Sequence, residues 1–261
     1  MEIEWKDEIL YKDLVKWECR LKREAPFFKD LVKNFDVKNS QVLDVSCGTG
    51  FHSVMLAKWG YYSVGVDISE QNIKEADNLA KNEEVESKVE FILGDILDIQ
   101  NLLADRKFDF IYCIGNTLAI FDLHERKKII QQLTNLLKPG GKLLIQVVNY
   151  LAHSNETEWF YKPNLMRTSD GLLNFQIRMM DWKEHSEKIN MYIHRIIQDT
   201  SNSDMFELIQ KKTEFYVLKK KDFQFMSEQK TFELKFLGDY NFNQFDEEKS
   251  NDLVVIIKKK N

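Results

Sequence analysis

The chain has 261 residues, of which 43% are hydrophobic and 30% charged, and its formal net charge is −5. This composition is typical of a globular protein that can bury a substantial core. The negative charge argues against a nucleic-acid partner, because phosphate neutralisation by Lys and Arg dominates such binding. An odd count of three cysteines, without a C-x-x-C pair, argues against a disulfide framework and against a metal site.

The first residues and the apolar runs of the chain argue against export and membrane insertion. The segment MEIEWKDEIL is acidic where a signal peptide is basic and then apolar, and no apolar run approaches the length of a membrane span. We therefore expect a cytoplasmic protein without a membrane partner. The oligomeric state, monomer or homo-oligomer, stays open.

Residues 1–35 are predicted to form a helical N-terminal cap. Amphipathic spacing runs through residues 5–33. Ala25-Pro26 is predicted to begin a second helix within this segment, because proline is favoured in the first turn of a helix.

Strands and helices then alternate from residue 41 to residue 149. The segments are QVLDV, SVMLAKW, YSVGVDI, EQNIKEADNLAKN, VEFILGDI, FDFIYCI, RKKIIQQLTNLL and KLLIQVVN. This alternation predicts right-handed βαβ units and therefore an α/β domain with a parallel sheet.

The pattern changes after residue 150. NFQIRMMDWKEHSEKINMYIHRIIQ has two runs of alternating polar and apolar residues around a polar turn, which predicts an antiparallel hairpin, extended by KKTEFYVL. KKDFQFMSEQ is predicted to form a short helix, and TFELKFLGDY and DLVVIIKKK two closing strands. We therefore expect one domain, with residues 36–155 and 213–261 as its core and residues 156–212 as an inserted β lid over a substrate site.

The stretch QVLDVSCGTGFHSVMLAKWG joins the first strand of the alternating region to a helix through a run of small residues. Gly48 and Gly50 let the backbone bend sharply and approach a ligand closely. The unpaired amides at the start of the helix favour a partner that accepts hydrogen bonds. An ordinary tight turn uses the same residues, so this loop alone leaves both interpretations open.

Polar or small residues also follow the next three strands. Asp67 ends the second strand, Asp95 and Ile96 follow the third, and Gly115 and Asn116 follow the fourth. In an open α/β sheet, ligands bind beyond the carboxyl ends of the strands, and a carboxylate at the position of Asp67 suits two ribose hydroxyls. Each aspartate alone can be a helix cap. Together these residues predict a ribose-bearing cofactor in the crevice.

Two common nucleotide-binding patterns do not occur in the chain: Ser53 stands at the third glycine position of G-x-G-x-x-G, and no P-loop lysine pattern is present. The chain instead resembles class I S-adenosylmethionine-dependent methyltransferases, whose first motif looks like VLDVSCGTG, over residues 40–150. The resemblance implies a doubly wound Rossmann-like sheet of seven strands, the last one antiparallel, and S-adenosylmethionine as the cofactor.

Within that superfamily, GTGFHSVMLAKWGY, GVDIS and GNTLAIF resemble the glycine/sarcosine N-methyltransferase branch, which acts on small molecules. The resemblance implies that the methionyl part of the cofactor lies near Asp44, Gly48 and Gly50. It also implies that Asp67 binds the ribose. The other positions implied for cofactor binding are Ser46, Cys113, Ile114 and Asn116, together with Ile68, Asp95 and Ile96 beside the adenine.

Upstream, WECRLKREAPFF resembles the N-terminal cap of that branch, in which an arginine pairs with the cofactor carboxylate. Arg20 is the predicted partner and Arg23 is the alternative, and either can instead be a solvated surface residue. Tyr11 and Trp17 are candidates for closing over the cofactor, although packing between helices explains either residue equally well.

The expected reaction is methyl transfer to an amine nitrogen of a small molecule. Such a displacement needs alignment more than a dedicated base, so the catalytic residues stay unassigned. The segment IGNT differs from the [Asn/Asp]-Pro-Pro-aromatic motif of the DNA and RNA amino-methyltransferases. The candidates to face the acceptor are Asn116, Asn149, Arg178 and Tyr240.

Asn149 is a candidate because VVNY resembles the segment that supplies a substrate-facing asparagine in that branch, but Leu151 stands where an acid is expected. Two alternatives therefore stay open beside the amine. One is O- or C-methylation of a phenol or quinone-like metabolite, and the other is a protein that binds S-adenosylmethionine without catalysis.

Overall fold

The computed structural model describes residues 15–153, 158–160, 163–167, 173–182, 186–198 and 206–261. Its α-helices are, in chain order, α1 (Trp17–Val32), α2 (Phe51–Lys58), α3 (Glu70–Asn82), α4 (Ile99–Leu103), α5 (Leu123–Asn135) and α6 (Gln224–Ser227). Its strands are β1 (Gln41–Val45), β2 (Tyr62–Asp67), β3 (Val89–Leu93), β4 (Phe108–Cys113), β5 (Leu137–Val148), β6 (Glu158–Phe160), β7 (Asn164–Arg167), β8 (Leu173–Asp181), β9 (Lys188–Gln198), β10 (Phe206–Tyr216), β11 (Phe232–Leu237) and β12 (Asp252–Lys259).

The core of the fold is a seven-stranded sheet with the order β3-β2-β1-β4-β5-β12-β11. The first five of these strands pair in parallel, whereas β12 is antiparallel to both of its neighbours. Helices pack against both faces, so the central strands carry apolar residues on both sides and are almost entirely buried. The predicted doubly wound α/β sheet with its last strand antiparallel is therefore confirmed.

A second, antiparallel sheet of five strands follows β5, and we call it the lid sheet (β6 to β10). The predicted hairpin is confirmed as β8 and β9, which pair from Leu173 with Gln198 to Asp181 with Asn190. One end of its inner face is apolar and joins the core through a buried cluster formed by Tyr150, Met180, Ile189, Met191 and Val217.

The N-terminal cap differs from the prediction that a second helix begins at Ala25-Pro26. Helix α1 is continuous from Trp17 to Val32, with Pro26 inside it. Proline removes one backbone hydrogen bond of a helix and crowds the preceding turn. The helix nevertheless continues, because Phe27 and Phe28, directly after the proline, are fully buried against the sheet. Among the described helices, none has the length and apolar character needed to cross a membrane.

Candidate functional site

The loop between β1 and α2 has an unusual backbone. Ser46, Gly48 and Gly50 all have positive φ angles, of 61°, 54° and 80°. A Cβ atom at Gly50 would lie only 2.8 Å from the Cβ of Ala76 and from the ring of Phe91. The loop therefore requires glycine at this position both for its backbone conformation and for its close packing against α3 and β3.

Asp67 connects this loop to the start of α3. Its Oδ2 accepts a hydrogen bond of 2.8 Å from the amide of Gly48, and its Oδ1 accepts from the Ser69 amide and the Asn72 side chain. The next residue, Ile68, is 71% exposed beside this carboxylate. The structure thus brings the predicted ribose-binding acid directly against the glycine loop.

The residues after β3 and β4 lie at the same edge of the sheet. Asp95 caps the short 3₁₀ turn that follows β3, since its Oδ1 accepts 2.8 Å from the Leu97 amide, and Ile96 is buried. Cys113 ends β4, Ile114 follows it, and both are buried as well. Burial raises the pKa of the Cys113 thiol to about 12, so this side chain is a neutral packing group.

Asp44 lies beneath the glycine loop, at the carboxyl end of β1. Its Oδ2 accepts a 2.7 Å hydrogen bond from the hydroxyl of Ser53 in the first turn of α2. Burial raises the pKa of the Asp44 carboxyl to about 6, against smaller lowering effects from His52, Ser53 and the neighbouring Tyr112. This carboxyl group therefore joins β1 to α2 inside the protein and is poorly placed to touch solvent.

The carboxylate of Glu24, which sequence reasoning missed, attaches the N-terminal cap to α2, the helix that follows the glycine loop. Its Oε1 accepts from Arg20 Nε at 3.0 Å and from Arg23 at 3.1 Å, and its Oε2 lies 2.7 Å from His52 Nε2. Burial alone would raise the pKa of Glu24, but the bonds from His52 and Arg20 hold it below its ordinary value. Both candidate arginines therefore meet at one buried acid.

Trp17 completes the contact between α1 and α2. Its ring stacks on Phe51 at a centroid distance of 4.5 Å, and the guanidinium of Arg20 lies 5.1 Å from the Trp17 ring. Trp17 thus packs between the cap and the helix that follows the glycine loop. Tyr11, the other candidate for closing over the cofactor, lies outside the described residues.

A cavity of about 850 Å³ lies between α1, the ends of β4 and β5, the start of β12 and the inner face of the lid sheet. Three of the four residues predicted to face an acceptor line it: Asn116, Arg178 and Tyr240. Asn149 is not among the described lining residues. It is fully buried and its side-chain nitrogen donates to the carbonyl groups of Glu247 and Ser250. Its role in facing an acceptor stays a prediction.

Asn116 lines the cavity, but its side-chain amide binds other parts of the protein. Its Nδ2 donates to the Tyr150 hydroxyl at 2.8 Å, and its Oδ1 accepts from the Val148 amide at 3.0 Å. The residue itself has a φ angle of 72°. Asn116 therefore holds the loop after β4 against the end of β5, where it shapes the cavity wall.

The wall opposite the lid sheet carries a buried hydroxyl and a carboxylate. Tyr240 is 9% exposed, and its hydroxyl has no hydrogen-bond partner among the described residues. Asp252 is half-buried and accepts a 2.7 Å bond from Gln146, whose own Oε1 accepts from the amide of Gly115. Burial raises the pKa of both the Tyr240 hydroxyl and the Asp252 carboxyl. Among the described residues, no cluster of His, Cys, Asp and Glu is suited to hold a metal ion.

The lid sheet adds two cationic side chains to the cavity besides Arg178, namely Arg195 and Lys211. Sequence reasoning missed both, as well as Glu24 and Asp252. The alternation of the hairpin could have assigned Arg178 and Arg195 to one face. It could not show that this face covers a cavity, because that depends on how the two sheets pack.

Comparisons with known proteins show which family and which proteins the chain resembles. The sequence model of a family described as "Methyltransferase domain" matches residues 36–229. The glycine/sarcosine N-methyltransferase of Aphanothece halophytica is 26% identical over 213 residues, which are 75% of this chain and 77% of that protein. A ubiquinone biosynthesis O-methyltransferase of Coxiella burnetii is 34% identical over 122 residues, 46% of this chain and 49% of that protein.

Solved structures share the fold over nearly the whole chain. An S-adenosylmethionine-dependent methyltransferase from Clostridium acetobutylicum superposes with a TM-score of 0.75 and 19% identity, covering 96% of each chain. At this level of identity the similarity shows the fold alone. It extends across both sheets, so the lid sheet is part of the shared architecture.

Proposed function

Because the chain belongs to the methyltransferase-domain family, and is an S-adenosylmethionine-dependent methyltransferase as the sequence resemblance predicted, we propose that it methylates an amine nitrogen of a small molecule. The observation that carries this proposal is the cavity wall formed by Tyr240 and Asp252, next to the cap and to the ends of the parallel strands. A hydroxyl and a carboxylate can accept hydrogen bonds from the N–H groups of an amine.

The glycine loop and the residues beside it are suited to hold the cofactor. The small residues Gly48 and Gly50 carry no side chain between the backbone of the loop and a ligand, so the ligand can approach the loop closely. We assign Asp67 to the ribose hydroxyls and the exposed Ile68 to the adenine, since both lie at the carboxyl edge of the sheet. When bound, S-adenosylmethionine would supply a methyl group on a sulfonium. The lone pair of a neutral amine would form the N–C bond as the C–S bond breaks, S-adenosylhomocysteine would leave with the electron pair of that bond, and the methylated ammonium would release its proton to water.

We assign Arg20 to the carboxylate of the cofactor. Glu24 fixes the Nε edge of its guanidinium, and Trp17 covers one of its faces. A guanidinium held in this way presents a rigid fork to a carboxylate. Arg23 contacts the same Glu24 oxygen but is largely exposed, which makes it the weaker choice.

We call the cavity wall formed by Tyr240 and Asp252 the acceptor wall, and its two residues orient the acceptor. The Asp252 carboxylate and the Tyr240 hydroxyl can accept the N–H bonds of an amine and so direct its lone pair toward the methyl group. Alignment of this kind accounts for much of the rate of a displacement reaction, and no separate base on the chain is needed for it.

The test is a panel of small amines, amino acids and phenols, each incubated with the protein and methyl-labelled cofactor, with products identified by mass spectrometry. We expect label on nitrogen in at least one class of amine. Label found exclusively on phenolic oxygen or on carbon would overturn the proposal that the acceptor is an amine. Cofactor binding by calorimetry without any labelled product across the panel would instead support a binding protein without catalysis.

A further inference from the structure

Three cations of the lid sheet meet on one face. Arg178 of β8 and Lys211 of β10 both pair with Ile193 of β9, so they belong to one row across the sheet. Arg195 belongs to the next row, between Gln176 and Ile209. Rows on one face are about 7 Å apart and strands about 5 Å apart, so the three side chains can reach a common ligand. All three line the cavity.

The three cations differ in their exposure to water: Arg195 is buried, Arg178 is partly buried and Lys211 is exposed at the rim. Arg195 is only 5% exposed, and its neighbours across the row include Ile209. Ile193 separates Arg178 from Lys211. A buried charge such as that of Arg195 interacts more strongly with a ligand of opposite charge than a charge at an open surface does.

Most of the charged residues that line the cavity are basic. Among its described lining residues the two acids, Glu24 and Asp252, belong to the cap and to the core sheet, opposite the lid sheet. The remaining charged lining residues are all basic: Lys16, Arg20, Arg23, Arg178, Arg195 and Lys211. A cavity lined by six basic and two acidic residues stands out in a chain whose net charge is −5. Such a cavity attracts an anion.

We propose that Arg178, Arg195 and Lys211 bind an anionic group of the methyl acceptor, a carboxylate or a phosphate. The inference rests on the proposed function and extends it: the acceptor carries its amine at the Tyr240 and Asp252 wall and its anion at the lid sheet. A volume of about 850 Å³ accommodates such a two-ended molecule, because pockets of this size hold ligands far larger than a free short-chain amine.

The chain offers a matched pair of substitutions to test the proposal. Lys211 and Lys212 are neighbours on β10 and both are exposed, but Lys211 lines the cavity whereas Lys212, the next residue of the strand, lies on the opposite face. The probes are inorganic phosphate and acetate, titrated calorimetrically into the protein saturated with S-adenosylmethionine. We expect saturable binding of at least one probe, weakened about tenfold by Lys211→Gln, as expected for the loss of one charge-assisted hydrogen bond, and unchanged by Lys212→Gln.

The two probes separate the two possible sources of the anion. Phosphate binding without acetate binding assigns a phosphate ester, and the reverse assigns a carboxylate. Each variant is also titrated with S-adenosylmethionine, which neither substitution should affect. Weakening by both variants alike would reflect the overall charge of the protein and would overturn the subsite, as would no saturable binding of either probe.

Activity on paired acceptors separates this proposal from the proposed function. Phosphoethanolamine is compared with ethanolamine, and β-alanine with propanolamine. Preference for the anionic member, lost in Lys211→Gln, supports the subsite. Equal N-methylation of both members would overturn the subsite and leave the amine reaction standing, whereas products labelled only on oxygen would overturn the amine reaction.

Discussion

The two sheets of this protein place their functional residues by different rules. In the seven-stranded sheet the candidate cofactor residues follow the carboxyl ends of β1 to β4, an edge defined by topology alone. In the lid sheet the cavity-lining residues lie along the middle of β8, β9 and β10, on whichever face packs over the core. A site at strand ends is therefore determined by the order of elements, whereas a site on a sheet face depends on register and packing.

The cap lies beside the cavity between these two sheets, and breaking its attachment to α2 should have the largest effect on stability. Glu24→Ala removes the acceptor of bonds from Arg20, Arg23 and His52. Loss of one member of a buried ionic cluster commonly costs about 3–5 kcal/mol. We expect the free energy of unfolding, measured in urea, to fall by about 3 kcal/mol on this basis, together with weaker cofactor binding.

The exposed Glu18, in the first turn of the same helix, is the matched control. Glu18→Ala should change the free energy of unfolding little, since surface charges contribute little to stability. Equal effects of the two substitutions would show that the cap is held by its apolar face, through Phe27 and Phe28, and not by the carboxylate.

The edge of the parallel sheet is tested with two aspartates at neighbouring strand ends. Asp67→Ala should weaken S-adenosylmethionine binding by about 1–3 kcal/mol, the order expected when ligand hydroxyls lose a charged acceptor. Asp95→Ala should cost about 1 kcal/mol of stability through the lost cap, and it should weaken cofactor binding less than Asp67→Ala does, because Asp95 is expected beside the adenine and not at the ribose. Calorimetric titration of both folded variants measures this; equal losses of affinity would remove the distinction between the two carboxylates.

These two aspartates also illustrate how far the sequence predicts the structure. The alternation of strands and helices along the chain, the helix α3 over residues 70–82 and the glycine loop follow from local pattern, because apolar periodicity and turn residues are strong signals. The topology of the seven-stranded sheet followed from the family resemblance. Glu24 was missed because an acid three residues before two phenylalanines has no local signal of burial. Its burial depends on His52, which approaches only in the folded protein.

The same limit applies to Pro26, Arg195 and Lys211. Local rules place a helix start at Pro26, but packing of the following phenylalanines extends one helix through it. Alternation identifies the two faces of β9 and β10, yet only the docking of the lid sheet decides which face lines the cavity. Tertiary contacts override local preference in the first case and complete it in the second.

We expect stability to depend on pH because of the buried carboxyl group of Asp44 in the parallel sheet. Its pKa is raised by burial to about 6, against about 4 in an unfolded chain. The folded protein thus keeps a proton that the unfolded chain releases, so this contribution to stability is complete below about pH 4 and is lost as the pH rises through about 6. Relative to Asp44→Asn, the free energy of unfolding of the parent protein should fall by about 2 kcal/mol over this interval.

Urea unfolding at a series of pH values measures the difference between parent and variant. Asp36 provides the contrast, because bonds from Asn39 and the Lys38 amide lower the pKa of its exposed carboxyl. The difference between the parent and Asp36→Asn should not fall with rising pH. If the difference in the free energy of unfolding between the parent and Asp44→Asn does not change with pH, water or nearby donors stabilise the buried carboxylate.

The acceptor wall is tested by removing one hydroxyl at a time, which should give the smallest effect on stability. Tyr240→Phe keeps the ring that packs edge-on against Phe27 at 5.2 Å and removes a buried hydroxyl without a described partner. Stability should therefore be unchanged or slightly increased, since no protein hydrogen bond is lost. Tyr61→Phe removes a hydroxyl that donates to the Val32 carbonyl at 3.0 Å and should cost about 1 kcal/mol of stability.

The same two variants should differ in activity toward the acceptor. In Tyr240→Phe, kcat/KM should fall about tenfold, as expected for one lost hydrogen bond in the transition state, whereas in Tyr61→Phe it should stay unchanged. If Tyr240→Phe loses stability but keeps full activity, the Tyr240 hydroxyl has a structural role, and Asp252 alone remains assigned to the acceptor.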